Sequence, residues 1–362
     1  MHRKFLEYLT KICEVYLVSR YMDERLKYAE PNDFRIFIPD LHLIDNKREK
    51  KYKYTTNNPA LFLDMLTELM NFKEAVSLEE VKVTVYQLGD FLDLWRQVSV
   101  SFSSNKATQK LIEGAQKIQE DKQAIVAKLK ELNTQFVFGN HDFDLQHIPD
   151  FAGTELRYFF PLEETSAFTL HGDVFSLFEK SMPVSLKNLG VNVFGPSVKP
   201  GTRQLGEFRK EVIKLGLEQA NQSNQFQDYI QQPTPIDLID IIHITPETID
   251  IDDVINETNF NINTNLTYLK EAGEFASTVN QQQGWDLRFG VISHTHRARI
   301  AVNEPSLAGN NPEEFFALID CGGWVGNCIG TSLDGTNILM PSAQIGVLYN
   351  NEARIYQLFR EK

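Results

Sequence analysis

Five short apolar runs in this chain each lead into a polar motif that contains aspartate or histidine. A short apolar run bounded by polar residues is typical of a buried strand. Because the carboxyl ends of neighbouring parallel strands meet at one edge of a sheet, we expect the motifs to converge on one pocket. The runs are 34–38, 83–88, 136–138, 167–170 and 289–292, and the motifs that follow are Asp40-Leu41-His42, Gly89-Asp90-Phe91-Leu92-Asp93, Gly139-Asn140-His141-Asp142, His171-Gly172-Asp173 and His294-Thr295-His296.

The donor atoms of these motifs indicate a metal site. Seven residues offer two carboxylates, one amide oxygen and four imidazoles: Asp40, Asp90, Asn140, His42, His171, His294 and His296. This set suits Mn²⁺, which we take as the leading candidate, and also Fe, Zn²⁺ or Mg²⁺; with no thiolate it does not predict a structural zinc. Seven ligands are too many for one tetrahedral ion, whereas two ions about 3.5 to 4 Å apart can share a carboxylate. The sequence therefore predicts two divalent metal ions.

Helical patterns alternate with the first strands. Apolar residues recur at helical spacing in 59–72 and 106–132, between the strands that precede the first three motifs. Strand, helix, strand is the signature of βαβ units with right-handed crossovers. The chain of 362 residues is therefore expected to be one α/β (α+β) domain.

An apolar stripe near the amino terminus predicts a further helix over 3–28. Phe5, Leu9, Ile12 and Tyr16 form the stripe, which is expected to pack on the domain itself or on a sister subunit of a homo-oligomer. A membrane-surface helix would carry more Lys and Arg on its polar face, so that alternative is weaker.

The stretch 176–285 differs in composition from the rest of the chain. It is rich in Gln and Asn and contains an acidic stretch. Long polar insertions beside a site often act as lids, so we interpret it as a mainly helical cap, with His243 in its interior. The cap would separate the core segments 33–175 and 286–362. In the second segment, strand-like runs at 315–319, 344–349 and 354–358 are expected to complete a second sheet, and the last two are joined by Asn350-Asn351, a hairpin signal.

Taken together, the motifs resemble those of the calcineurin-like metallophosphoesterase superfamily, whose pattern is D-x-H, G-D-x-x-D, G-N-H-[DE], H and [GS]-H-x-H. The resemblance spans about 34–297, without the cap. It implies a four-layer α/β/β/α sandwich of two mixed sheets. It also implies an enzyme that hydrolyses phosphoric esters, either monoesters or diesters, with a metal-bridging hydroxide and no covalent intermediate.

The resemblance also assigns roles to individual residues. One metal would be held by Asp40, His42 and His296, and the other by Asn140, His171 and His294, with Asp90 bridging the two. His141 would protonate or hydrogen-bond the phosphoryl or leaving oxygen. Asp93 would orient His141.

Within the superfamily, several details bear on the substrate. Leu94 stands where protein phosphatases often have a phosphate-binding Arg, which argues against that branch. Asp40-Leu41-His42-Leu43, His171-Gly172-Asp173 and Cys321-Gly322-Gly323-Trp324-Val325 resemble the branch of UDP-2,3-diacylglucosamine hydrolases, although those usually carry Arg in place of His141. A nucleotide-lipid diphosphatase acting on a lipid-linked substrate is therefore an alternative to a small phosphate-containing substrate. An alternative of another class is a non-catalytic metal-binding interaction module, which would be expected to lose ligands or His141.

Other residues near the motifs are expected to have supporting roles. Asp142 and Asp173 are expected to fix the loops rather than bind metal, and Trp324 to pack in the core. Arg297 and Arg299 follow the last histidine pair closely enough to reach a phosphate.

Charge and cysteine content limit the possible partners and compartments. The net charge of −13 and the pI near 5.2 oppose binding to nucleic acid, because nonspecific affinity depends on Lys and Arg neutralising phosphates. The three cysteines match neither a disulfide framework nor a zinc knuckle, which favours a reducing cytoplasm. No run of about 18 apolar residues is present, so no transmembrane segment is expected.

Overall fold

The structure is a computed structural model, and it describes part of the chain. The described residues are 1–23, 32–49, 59–97, 107–142, 145, 156–157, 159–162, 166–175, 242–249, 262–263, 267–303, 315–324, 327–331, 337–340 and 343–360.

The described strands include each strand that precedes a motif, close to its predicted bounds. In chain order they are β1 (Glu14–Met22), β2 (Asp33–Ile38), β3 (Lys82–Gln87), β4 (Gln135–Val137), β5 (Leu156–Arg157), β6 (Phe159–Pro161), β7 (Ala167–Leu170), β8 (Ile242–Ile244), β9 (Ile262–Asn263), β10 (Phe289–Ile292), β11 (Arg299–Asn303), β12 (Phe316–Asp320), β13 (Asn327–Thr331), β14 (Asn337–Met340), β15 (Gln344–Tyr349) and β16 (Glu352–Phe359).

The helices confirm the two helical patterns predicted between the first strands. The helices are α1 (His2–Leu9), α2 (Asn46–Glu49), α3 (Pro59–Ser77), α4 (Leu94–Gln97), α5 (Ala107–Asp121), α6 (Gln123–Glu131) and α7 (Thr267–Gln283). The pattern predicted as one helix over 106–132 is divided into α5 and α6 at Lys122, whose φ of −115° and ψ of 25° are not helical. Short 3-10 turns occur at Asp173–Phe175 and Pro246–Thr248.

Two mixed sheets organise the described part of the chain, as predicted. The first has the strand order β5-β4-β3-β2-β15-β16-β1-β8. Within it, strands β2, β3, β4 and β5 run parallel to one another. The second has the order β6-β7-β10-β12-β11-β9, with β7, β10 and β12 parallel. Strands β13 and β14 form a separate pair. Each large sheet thus has a set of parallel strands whose carboxyl ends lie at one edge.

The amino-terminal helix is much shorter than predicted. It ends at Leu9, and residues 14–22, predicted as helix, form β1 between β16 and β8. The apolar stripe fits a helix only as far as Leu9, and pairing with two distant strands decides the conformation beyond it. Phe5, Leu6 and Leu9 are buried in the chain's own core, which matches the first of the two packing alternatives.

The carboxy-terminal hairpin lies in a different sheet from the one expected. Strands β15 and β16 pair across the Asn350-Asn351 turn, with Asn350 at a φ of 53°, so the hairpin itself is confirmed. However, β15 pairs with β2, which places the hairpin in the first sheet. Only β12 of the predicted tail strands lies in the second sheet. The turn signal is local, whereas the choice of sheet depends on a partner about 310 residues away in sequence.

The end of the predicted cap belongs to the core. Helix α7 packs against the second sheet through Leu269, Ala272 and Ala276, although it lies before the predicted boundary at residue 285. Strand β8 extends the first sheet and β9 the second. Residues 176–241, 250–261 and 264–266 of the predicted cap lie outside the described residues.

Three hydrophobic clusters hold these elements together. The largest joins α1, α3, α5 and α6 to the first sheet; in it the rings of Phe5, Phe34 and Phe72 lie with centroids 5.2 Å apart in each pair. A second joins side chains of both sheets, including Phe37 and Phe289. The third lies between the second sheet and α7. Burying each such aromatic side chain contributes about 2 to 3 kcal/mol, so the strands that carry the motifs are held rigidly.

Candidate metal centre

The polar motifs meet where the parallel strands of the two sheets end. Asp40, Asp90 and Asn140 follow β2, β3 and β4 of the first sheet, and His171 and His294 follow β7 and β10 of the second. Backbone hydrogen bonds link the first two motifs, with the N–H groups of residues 41 and 42 donating to the carbonyl oxygen of Asp90 over 3.1 and 2.8 Å. The expected convergence of the motifs is therefore confirmed.

One group of donor atoms consists of Asp40, His42 and His296. Oδ2 of Asp40 lies 2.8 Å from Nε2 of His296 and 3.8 Å from Nε2 of His42. The two imidazole nitrogens lie 3.1 Å apart. Asp40 and His42 are buried and His296 is half-buried. These three residues could hold one metal ion.

A second group consists of Asp90, His171 and His294, with Asn140 beside it. Nε2 of His171 lies 3.4 Å from Oδ2 of Asp90, 3.1 Å from Oδ1 of Asn140 and 3.1 Å from Nδ1 of His294. The three titratable residues could hold a metal ion. Oδ2 of Asp90 also lies 3.5 Å from Nε2 of His42, so one carboxylate oxygen stands between the two groups.

The hydrogen-bond chemistry of the histidines fits bound cations. Nδ1 of His171 lies 2.8 Å from the carbonyl oxygen of Leu88, which can only accept, so Nδ1 carries a proton. In a neutral imidazole, Nε2 then presents a lone pair toward the acceptors of Asp90 and Asn140. His42 repeats the arrangement, with Nδ1 3.3 Å from Oδ2 of Asp93. Lone pairs that face one another repel unless a proton or a metal ion lies between them.

The pKa shifts express the same preference for positive charge. Burial lowers the pKa of His171, but the carboxylates of Asp90 and Asp40 outweigh it and raise that pKa well above its ordinary value. Burial, together with His171, lowers the pKa of His294 to about 3. Burial would raise the pKa of Asp40, but His171 and His296 lower it to about 2. The carboxylates of Asp40 and Asp90 thus favour positive charge at His171, which a metal ion would supply.

Several of these residues adopt left-handed backbone conformations. The φ angles are 49° at His42, 48° at Asp90, 70° at His294 and 55° at His296. For residues other than glycine this region costs about 1 to 3 kcal/mol each, and such strain concentrates at functional sites. Gly89, at a φ of 92°, precedes Asp90, and a Cβ atom there would lie 2.7 Å from Nδ1 of His171. The motifs therefore need glycine there for close approach as well as for conformation.

His141 lies beside both groups and is about as exposed as the ligand candidate His296. Its side chain is 18% exposed, and its Nδ1 lies 3.0 Å from Oδ1 of Asp93. The other oxygen of Asp93 faces His42, so one buried carboxylate orients two imidazoles. Burial raises the pKa of Asp93, but the imidazoles of His141 and His42 lower it below its ordinary value. The predicted pairing of Asp93 with His141 is present.

Buried carboxylates around the centre fix its loops. Asp142 accepts hydrogen bonds from the backbone N–H groups of Gly139 and Phe91 over 2.8 and 2.6 Å, as expected for a residue that holds its loop. Burial and the carboxylate of Asp90 raise the pKa of Asp142 to about 7. Asp173 begins a 3-10 turn next to His171 and is buried.

Sequence reasoning missed Asp320, at the end of β12. Its carboxylate accepts a short hydrogen bond from the hydroxyl of Thr295, the residue between His294 and His296. Burial raises the pKa of Asp320 to about 7, against the lowering effect of Arg299. The signal was available, because Asp320 follows an apolar run and directly precedes the Cys321-Gly322-Gly323-Trp324 segment.

The other residues considered in the sequence analysis have different surroundings. Trp324 is buried against Phe62 with ring centroids 4.8 Å apart, as expected for a core residue. His243 is exposed on β8 and stacks on Tyr16, so its predicted place inside the cap is wrong. Nη2 of Arg299 lies 3.9 Å from Asp320, which directs it toward that carboxylate. Arg297 is half-buried, and its role in phosphate binding stays a prediction.

Comparison with known protein families finds no family that matches this chain, and comparison with characterised proteins finds no match. In the described part of the chain, no helix combines the length and the apolar character that crossing a membrane requires.

Proposed function

We propose that this protein is a hydrolase of phosphoric esters that binds two divalent metal ions. The observation that carries the proposal is the convergence of seven donor residues into two groups that meet at Asp90, whose Oδ2 lies 3.5 Å from an imidazole of one group and 3.4 Å from an imidazole of the other. Two such groups around a shared carboxylate are what a paired metal site requires. Carboxylate, amide and imidazole ligands favour Mn²⁺, with Fe, Zn²⁺ and Mg²⁺ as alternatives.

The proposed assignment of ligands follows the two groups. Asp40, His42 and His296 would hold one ion, and Asn140, His171 and His294 the other, with Asp90 shared between them. Two divalent cations held there would supply an activated water and would neutralise charge on the phosphoryl oxygens. We also propose that the three hydrophobic clusters are the interfaces of a four-layer α/β/β/α sandwich.

His141 and Asp93 would carry the proton transfer. With Nδ1 of His141 held 3.0 Å from Asp93, the nitrogen that can exchange a proton with the leaving oxygen is Nε2. Because Asp93 is buried and accepts from the imidazole, it fixes both the tautomer and the orientation of the ring. The partial exposure of His141 lets a substrate reach it.

The test is a metal-reconstituted activity screen. Protein stripped with chelator and reloaded with Mn²⁺ would be assayed on phosphomonoesters, phosphodiesters and diphosphates, with bound metal counted for each preparation. We expect hydrolysis that requires metal at about two ions per chain. A nucleotide-lipid diphosphatase and an esterase would use the same metal centre. The preference for diphosphates over esters therefore distinguishes them. Full metal loading without turnover of any class would instead favour a non-catalytic metal-binding module.

A further inference from the structure

The loop that carries His294 and His296 crosses the end of a strand that is not its neighbour in sequence. Strands β10 and β11 both pair with β12 and lie on either side of it, so the connection between them, 293–298, must pass over β12. Asp320 is the last residue of β12 and pairs with Ile292 on one side and Arg299 on the other. Its carboxylate is therefore placed beneath the loop.

Contacts in this loop converge on one hydroxyl. Oγ1 of Thr295 donates to Oδ2 of Asp320 and accepts a hydrogen bond from the backbone N–H of Arg297 over 3.2 Å. The other carboxylate oxygen of Asp320 accepts from the N–H of Gly322 over 3.1 Å. Asp320 is 2% exposed, so this charge-assisted hydrogen bond is shielded from water.

Thr295 stands between two residues that need to be held. His294 and His296 flank it, both with left-handed backbone conformations, and their imidazoles face different groups of donors. A single anchor on Thr295 therefore fixes the direction of one imidazole in each group. Conformations of this kind persist only where surrounding contacts over-determine them.

We propose that Asp320 is a positioning residue that sets both metal sites through Thr295. It does not contact a metal or the substrate; it holds the loop so that His294 and His296 point at their metals together. The proposal rests on the proposed metal-binding function. It predicts that loss of one hydroxyl, remote from both imidazole rings, weakens both sites at once.

The test compares three threonine substitutions. Thr295→Val removes the hydroxyl at nearly constant volume, and Thr295→Ser restores it. Thr169→Val makes the same change at a buried threonine of β7, whose hydroxyl donates to the carbonyl oxygen of Val291 over 2.9 Å and lies outside the loop. Affinity for Mn²⁺ would be measured by calorimetry, and Co²⁺ absorption would report the ligand geometry.

We expect Thr295→Val to weaken Mn²⁺ binding about 10- to 100-fold and to change the Co²⁺ spectrum. Thr295→Ser and Thr169→Val should stay close to the wild type. Asp320→Asn, which keeps an acceptor but loses the charge, should weaken binding in the same direction, and combining it with Thr295→Val should add little. Circular dichroism and unfolding of the metal-free proteins would show that each variant is folded.

Several results would overturn the proposal. If Thr295→Val binds Mn²⁺ as well as Thr295→Ser, the anchor does not position the imidazoles. If Thr169→Val weakens binding as much as Thr295→Val, the effect is general packing. Wild-type protein that binds no Mn²⁺ would overturn the metal-binding function as well, whereas wild-type binding with unaffected variants would overturn only the role of Asp320.

Discussion

A buried cluster of polar residues that includes histidine lies near each end of strand β2. The two clusters differ in which groups face one another. Near the amino end of the strand, His2 packs on Phe34 with ring centroids 5.6 Å apart, and the carboxylate of Glu352 accepts from both Arg20 and Arg354. Donors there face acceptors. Beyond its carboxyl end, the Asp40 cluster brings imidazole nitrogens together, as in the 3.1 Å contact between Nε2 of His42 and Nε2 of His296.

This difference separates a structural cluster from a candidate functional one. Burial, Arg354 and the N-terminal amine lower the pKa of His2 well below its ordinary value, so it stays neutral and needs no cation. Two carboxylates raise the pKa of His171 well above its ordinary value, despite equal burial. A buried histidine therefore indicates a functional site only when the charge of the groups that face it is also considered.

The largest effect should come from the shared carboxylate. Asp90→Ala removes the oxygen that faces both groups, so we expect loss of both metals, with affinity reduced more than about 100-fold, and loss of hydrolysis. Metal analysis after dialysis against Mn²⁺ measures this. Retention of a full metal complement would show that the two groups do not share Asp90.

His141→Gln should distinguish catalysis from metal binding in the cluster beyond the carboxyl end of β2. We expect the metal content to be unchanged and turnover to fall about 10²- to 10⁴-fold, the usual contribution of a general acid. Asp93→Asn is the companion variant and should slow turnover less, because it leaves the imidazole in place. A loss of metal by His141→Gln equal to that of Asp90→Ala would make His141 a ligand rather than an acid.

The strands and motif positions could be predicted because both signals are local. A buried parallel strand is a nearly continuous apolar run, and residues 34–38 show one immediately before Asp40. The ends of such runs locate Asp90, Asn140, His171 and His294 in the same way. An apolar run does not indicate which strands it pairs with.

The errors follow from that missing information. Helical spacing from Phe5 continues weakly past Leu9, but β16 and β8 hold 14–22 as a strand. Asp320 follows an apolar run, as the motif residues do, but its role comes from the order β10-β12-β11, which places it beneath Thr295. Contacts between distant segments decided each case.

At the amino end of β2, a charge substitution should affect stability and leave metal binding unchanged. Glu352→Gln leaves Arg20 and Arg354 without their shared carboxylate partner, which we expect to cost roughly 3 kcal/mol of unfolding free energy. Glu79→Gln is the control, because Glu79 is about half exposed in its pair with Lys4 and should change stability by less than about 1 kcal/mol. Denaturant titration gives the stabilities and metal analysis the binding. Metal loss in Glu352→Gln would contradict the separation of the two ends.

The smallest effect concerns the neutral histidine at that end. The folded-state pKa of His2 lies below its ordinary value of 6.5, so below pH 6.5 the unfolded chain takes up a proton that the folded chain does not. Stability should therefore fall with decreasing pH, by up to about 1.4 kcal/mol per pH unit, until the folded-state pKa is reached. His2→Phe suits the neighbouring rings of Phe34 and Tyr349 and should lack this component. The difference in unfolding free energy between the wild type and His2→Phe, measured in chelator between about pH 5 and 7, gives the contribution of His2. Parallel curves would contradict a lowered pKa, and a wild type that loses stability relative to His2→Phe as the pH rises above about 6.5 would mean that Glu352, 3.5 Å from Nε2, holds His2 protonated, so that the amino-end cluster resembles the metal centre more than we infer.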